Sequence, residues 1–153
     1  MASHIIISKG IHMTTLYSTT VNAVGGRGGT VRSTDGILDL NLALPNGLGG
    51  KGGATNPEQL FAAGYAACFG NAVIHVTRNK DHKIRDDAVS VAATVGLIPG
   101  VEGRFVLTVA LEVTLAGVDQ PTAESIVAEA HKVCPYSNAT RGNIDVELSV
   151  KTR

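Results

Sequence analysis

The chain has 153 residues, enough for one domain with an apolar core and no need of disulfide staples. Its 13 basic residues balance 13 acidic ones, which removes the electrostatic case for nucleic acid or an anionic membrane surface as a partner. No apolar run nears the ~18 residues of a spanning helix, and Ile5-Ile6-Ile7 is too short for the apolar part of a secretion signal. Residues 1–12 read as expression-tag residue, because they lack periodicity and His12-Met13 resembles a cloning junction. The expectation is a single domain over 13–153 in the cytoplasm, where a cysteine pair is better explained by redox chemistry than by structure.

Residues 16–24 and 29–42 read as short strands on either side of a glycine nest, Gly25-Gly26-Arg27-Gly28-Gly29. Leu38, Leu40 and Leu42 alternate there with Asp39 and Asn41, the period of a half-buried strand. Residues 43–56 form a glycine-rich loop. Within it, residues 47–52 fit G-x-G-x-x-G, but that fingerprint needs a helix directly behind it. Here a helix starts only at Asn56-Pro57, so a connection or lid is the better reading.

That helix has a clear start: Asn56 as N-cap, Pro57 at the first position, Glu58 in the first turn and Gln59 completing a capping pattern. It is expected to run to about Asn79. Alanines and glycines alternate along it with Leu60, Phe61, Phe69, Val73 and Ile74 nearly all round, the pattern of a buried helix. Cys68 sits at its middle.

Two long alternating strands follow, with Val89, Val91, Ala93, Val95 and Leu97 on one face of the first. In the second, the odd-numbered residues from Phe105 to Leu115 share a face, and Pro99-Gly100 marks the turn between the two. A second helix is expected from near Pro121 to about Val133, because the residue before Pro135 is pushed out of helical geometry. Cys134 therefore stands at a helix exit. A last strand alternates Ile144, Val146, Leu148 and Val150 with polar residues. The order of elements suggests an α+β fold with mainly antiparallel sheets, and no repeat or second domain.

Four residues carry candidate chemistry: Cys68, Cys134, Arg27 and Glu58. A cysteine acts on an electrophile as thiolate, and near its ordinary pKa of ~8.5 it is mostly protonated at neutral pH. Burial in an apolar helix raises that value further. A cation must then face Cys68, and Arg27 in its nest is the best candidate, with Glu58 available to orient it. Glu58 and Cys68 are separated by roughly 15 Å along one helix, so one arginine cannot easily reach both within a subunit. The expected solution is two subunits, with Arg27 and Glu58 of one chain completing the site around Cys68 of the other. Each residue also has an ordinary reading: a core cysteine, a solvated loop arginine, a first-turn carboxylate. A metal site or a Cys–His hydrolase built on His75 or His131 fits the spacings poorly.

The stretches 56–69 and 133–143, with Gly25-Gly26-Arg27, closely resemble the OsmC/Ohr family, and Cys134-Pro135-Tyr136-Ser137 favours its organic hydroperoxide resistance branch, Ohr. The resemblance covers about Leu16 to the end. It departs at Gly28, where members often carry an acidic residue. Membership implies an intertwined homodimer, its antiparallel sheets wrapping two long central helices, with active sites at the interface. It also implies a lipoyl-dependent thiol peroxidase acting on alkyl or fatty-acid hydroperoxides. Cys68 would be the peroxidatic cysteine and Cys134 the resolving one. Arg27 would stabilise the thiolate and Glu58 would hold Arg27.

The implied cycle passes through a Cys68 sulfenic acid and a Cys68–Cys134 disulfide, re-reduced by dihydrolipoamide on a lipoylated protein, with no bound cofactor or metal. Phe61, Phe69 and Tyr136 would receive the alkyl tail. The rivals are an OsmC-type peroxidase of broader preference, and a dimeric redox-sensing or lipid-binding module without turnover.

Overall fold

In the computed structural model, which describes residues 14–78, 80 and 83–153, the glycine nest is the link of a β-hairpin. The boundary read at residue 12 and the helix end read at Asn79 lie outside the described residues. Strands β1 (Val21–Val24), β2 (Thr30–Ser33) and β3 (Asp39–Asn41) form an antiparallel sheet in that order. Gly29 closes the first turn. A β-carbon there would lie 1.7 Å from the Val24 carbonyl oxygen, so only glycine allows Val24 to pair with Thr30. The stretch read as one run over 29–42 is instead two strands. Asp35 Oδ1 accepts from Ser33 Oγ at 2.5 Å and from the Ile37 N–H at 3.0 Å, and this side-chain turn reverses the chain.

Helix α1 (Pro57–Thr77) begins as its sequence requires. Asn56 Oδ1 accepts the Gln59 N–H at 3.0 Å, and Pro57 occupies the first turn. The Gln59 side chain does not complete a reciprocal box; its Oε1 accepts from Thr55 Oγ1 at 2.8 Å. Tyr65, Phe69, Ala72, Val73 and Thr77 are buried, whereas Gln59, Ala63, Ala67, Asn71 and His75 form an exposed stripe along the opposite side. A helix buried all round is therefore not what one chain builds. α1 is also long and apolar enough to cross a membrane by length and composition alone, with mean hydropathy 1.4 over an 18-residue window, a test that a core helix also passes.

Strands β4 (Val89–Pro99) and β5 (Phe105–Leu115) form a long antiparallel hairpin. The two alternating runs pair with Val91 opposite Val113, Ala93 opposite Leu111 and Val95 opposite Val109. Helix α2 (Gln120–Val133) is capped by Asp119, which accepts the Thr122 N–H at 2.9 Å. A short helix α3 (Pro135–Thr140) follows directly, and β6 (Val146–Thr152) completes the second sheet, ordered β4-β5-β6. β6 runs parallel to β5, an exception to the expected antiparallel pattern. The crossover through α2 and α3 returns the chain to the starting end of β5, so the next strand must run the same way.

The core lies between the second sheet and the helices. Tyr65, Phe69 and Val73 of α1 meet Val109, Leu111, Val113 and Leu115 of β5 and Ile126, Val127 and Ala130 of α2. No residue of β1–β3 belongs to this cluster. Val24 and Ile37 at its turns are 71% and 87% exposed, and Phe105 at the far end of the long hairpin is 70% exposed. Replacing the α1 cap, Asn56→Ala, is expected to lower stability by about 1 kcal/mol while Asn56→Asp retains it. Urea midpoints at fixed protein concentration check this, and an unchanged midpoint for Asn56→Ala would show that the cap contributes nothing.

Candidate active site

Cys134 stands at a break between two helices. Its N–H donates to the Ala130 carbonyl at 2.9 Å and closes α2, while its own carbonyl accepts from the Asn138 N–H at 2.9 Å and opens α3. Its backbone is extended (φ −63°, ψ 124°), as expected for a residue before proline. The break turns the thiol inward, onto the middle of α1. Cys134 Sγ lies 3.6 Å from Cys68 Sγ, with both thiols free. A disulfide needs ~2.05 Å, so the pair would close by about 1.5 Å. Cys134 is fully buried, whereas Cys68 is partly accessible. One thiol can meet a reagent, and the other waits behind it.

Burial pushes the Cys68 thiol above its ordinary pKa. The Tyr136 backbone N–H works against this by stabilising the thiolate, and the Cys134 thiol adds to the rise. Within one chain, Cys68 is thus held mainly as an unreactive thiol.

Arg27 and Glu58 form a bidentate pair as read from the sequence. Arg27 Nη1 and Nη2 donate to Glu58 Oε2 and Oε1 at 2.9 and 2.6 Å. The Arg27 hydrogen bonds hold the Glu58 carboxyl below the usual carboxylate range, and the carboxylate raises the arginine in turn. The structure brings the four expected residues together as two pairs, Cys68 with Cys134 and Arg27 with Glu58, with Glu58 at the start of α1 and Cys68 at its middle.

Phe61 and Tyr136 pack against each other, and the Tyr136 N–H faces Cys68. Their rings pack edge to face at 6.3 Å between centroids, and Tyr65 lies 5.6 Å from Tyr136. Gly64 makes this possible, since a β-carbon there would meet the Tyr136 hydroxyl at 2.7 Å and two of its ring carbons at 3.2 Å. Phe61 and Tyr136 line a groove of about 320 Å³, with Leu107, Ala139, Thr140, Asn143 and Ile144. Phe69 lies elsewhere: it is fully buried in the core with its ring against His131. Pointing from the α1 face that meets α2, it offers no surface to a ligand.

Sequence reasoning missed a buried polar cluster beneath the cysteines. Ser137 Oγ lies 2.9 Å from Tyr65 Oη and 2.9 Å from His131 Nδ1, and Tyr65 Oη lies 3.2 Å from Thr140 Oγ1. The available signal was spacing: Tyr65 and Cys68, and likewise Cys134 and Ser137, are neighbours across one helical turn. His131 is a satisfied histidine and His75 an exposed one. Among the described residues, no three His, Cys, Asp or Glu side chains converge as metal ligands would.

Burial, reinforced by the Arg141 charge, lowers the His131 pKa below its ordinary 6.5. The neutral ring is favoured on folding, so this stability is fully present above about pH 6.5 and is lost as pH falls toward the folded value. Wild type should lose stability as pH falls below about 6.5. His131→Gln should flatten that slope. Equal slopes in urea titrations of the two proteins would contradict the assignment.

Comparison with known proteins places these features. The OsmC-like protein family matches residues 50–149. The organic hydroperoxide resistance protein of Xanthomonas axonopodis pv. citri is 48% identical over 136 residues, 88% of this chain and 94% of that protein. An organic hydroperoxide resistance protein from Legionella pneumophila superimposes with a TM-score of 0.86 at 54% identity, covering 90% of this chain and 99% of that one. OhrB of Bacillus subtilis superimposes at 0.81 with 43% identity over 90% of this chain and 100% of that one. With its α+β fold, this chain belongs to the OsmC/Ohr family.

Proposed function

We propose that this protein is a thiol peroxidase that reduces organic hydroperoxides to alcohols. The observation that carries the reading is the pair of free thiols 3.6 Å apart, one accessible and one buried behind it. Such a pair suits a cysteine that is oxidised and a second that resolves it. Relatives over nearly the whole chain bear the name organic hydroperoxide resistance protein, and the family points to a peroxide-detoxifying oxidoreductase.

The proposed chemistry balances in three steps. The Cys68 thiolate attacks the distal peroxide oxygen; the O–O bond breaks, a sulfenic acid forms, and the alkoxide leaves as an alcohol after protonation. Cys134 attacks the Cys68 sulfur; the S–S bond forms, the S–O bond breaks, and water leaves. A dithiol then reduces the disulfide by exchange and becomes oxidised itself. Dihydrolipoamide on a lipoylated protein fills that role in this proposal. Phe61 and Tyr136 are the wall for the alkyl tail, and the groove between them and Ile144 suits an apolar chain over hydrogen peroxide.

The electrostatics favour a homodimer with shared sites. Cys68 is pushed toward its neutral form in one chain, and the cation that could correct this is tied to Glu58 at the other part of α1. Roughly 15 Å of helix separates the two positions. The exposed Ala63–Ala67 stripe and the apolar ends of both sheets supply surface for a partner to cover. In this arrangement Arg27, held by Glu58, reaches Cys68 of the other subunit, lowers its pKa and orients the peroxide. The proposed location is the cytoplasm, where thiols stay reduced between cycles.

One experiment covers both parts. Wild type should consume an alkyl hydroperoxide over many turnovers with dihydrolipoamide, and faster than hydrogen peroxide. Arg27→Ala and Cys68→Ser homodimers should each be nearly inactive. Their co-expressed heterodimer should recover about half the wild-type rate, because it contains one site with both residues intact. A silent heterodimer would refute the shared site. Oxidation that stops after one equivalent would replace the enzyme with a redox sensor.

A further inference from the structure

Ser137 has no part in the chemistry above, yet it is the fully buried node where three helices meet. Its Oγ touches Tyr65 of α1 and His131 of α2, and its carbonyl accepts from Thr140 Oγ1 at 3.2 Å. Only one assignment of protons satisfies all four contacts. Thr140 donates to the Ser137 carbonyl. Tyr65 must then donate to Thr140, Ser137 must donate to Tyr65, and His131 must donate to Ser137 through Nδ1–H. The chain of hydrogen bonds therefore runs one way, and neutral His131 carries its proton on Nδ1.

The placement is as specific as the bonding. Tyr65 precedes Cys68 by one turn of α1, and Ser137 follows Cys134 by one turn of α3. The Tyr65–Ser137 bond and the Cys68–Cys134 contact are thus two parallel ties between the same two helices. His131, one turn before Cys134 on α2, ties the same serine from the other side of the break, and Arg141 Nη2 adds a bond to the His131 carbonyl at 2.8 Å. The two backbone torsions of Cys134 (φ −63°, ψ 124°) form the joint between α2 and α3. The orientation of α3 about them, and so the aim of Cys134 Sγ, is set by what holds Ser137.

We propose that Ser137 is a positioning residue for disulfide closure, fixing α3 so that Cys134 Sγ is in line to displace hydroxide from the Cys68 sulfenic acid. This rests on the peroxidase reading above. Loss of the node leaves Tyr65 and His131 without a common partner and lets the aim of Cys134 vary, whereas attack by Cys68 on the peroxide does not involve Cys134 and draws on α3 only through the Tyr136 N–H.

The test is a single-turnover reaction of reduced protein with an alkyl hydroperoxide, following sulfenic acid formation and its condensation as separate phases. Ser137→Ala should slow condensation by about tenfold or more, the scale of a small misplacement, with sulfenic acid formation within about threefold of wild type. Tyr65→Phe keeps the ring and removes only its hydroxyl, so it gives the same selective slowing to a smaller degree and serves if Ser137→Ala folds poorly. Nitrogen NMR of reduced wild type should show the His131 proton on Nδ1, and Ser137→Ala should abolish that preference. Condensation at the wild-type rate in both variants, or an Nε2–H ring in wild type, would overturn the inference. If wild type itself forms no sulfenic acid, the peroxidase reading fails instead, and the two failures are distinct.

Discussion

Pro135 breaks the helix that would otherwise carry the chain past Cys134, and the placement of the cysteines depends on that break. In an unbroken helix, the Cys134 side chain would follow the buried Ala130 face along α2. The extended backbone at Cys134, shared as the last bond of α2 and the first of α3, turns the thiol onto the centre of α1. α1 is prepared for it by small residues, with Gly64 admitting the Tyr136 ring. The 3.6 Å approach of the two sulfurs is the result. It also brings the Tyr136 N–H to Cys68, which stabilises the charged form that chemistry requires.

This arrangement contains an electrostatic conflict. The burial that shields the pair also raises the pKa of Cys68, the thiol that reacts in the proposed cycle. One backbone N–H opposes that rise, but burial is the larger influence. A fixed guanidinium is the natural remedy, and the chain carries one in a closed glycine turn, held by the two hydrogen bonds it donates to Glu58. Its separation from Cys68 along α1 is why the proposed function draws on a second subunit. Residues left exposed on the first sheet and on one side of α1 point the same way.

Much of the fold was legible because its signals are local. Asn56-Pro57 fixed the start of α1, Pro135 fixed the end of α2, and two alternating runs with Pro99-Gly100 between them fixed the long hairpin. The errors arose where several residues act together. The Asp35 turn was hidden inside continuous leucine alternation, and the direction of β6 depends on the helices before it. At the site, thiol chemistry singles out Cys68 and Cys134, and helix rise alone separates Glu58 from Cys68. The place of Phe69 was not legible, since an aromatic beside a cysteine points to the core or to the groove according to helix rotation. The Tyr65–Ser137–His131 chain was invisible because its members lie on three helices.

The most direct test of the cysteine pair is intact mass. Reduced wild type and Cys134→Ser would each receive one equivalent of an alkyl hydroperoxide. The account predicts loss of about two hydrogens in wild type, and one added oxygen trappable as sulfenic acid on Cys68 in the variant. Unchanged masses in both proteins would contradict it, and would leave Cys68 and Cys134 as packing residues of an apolar core.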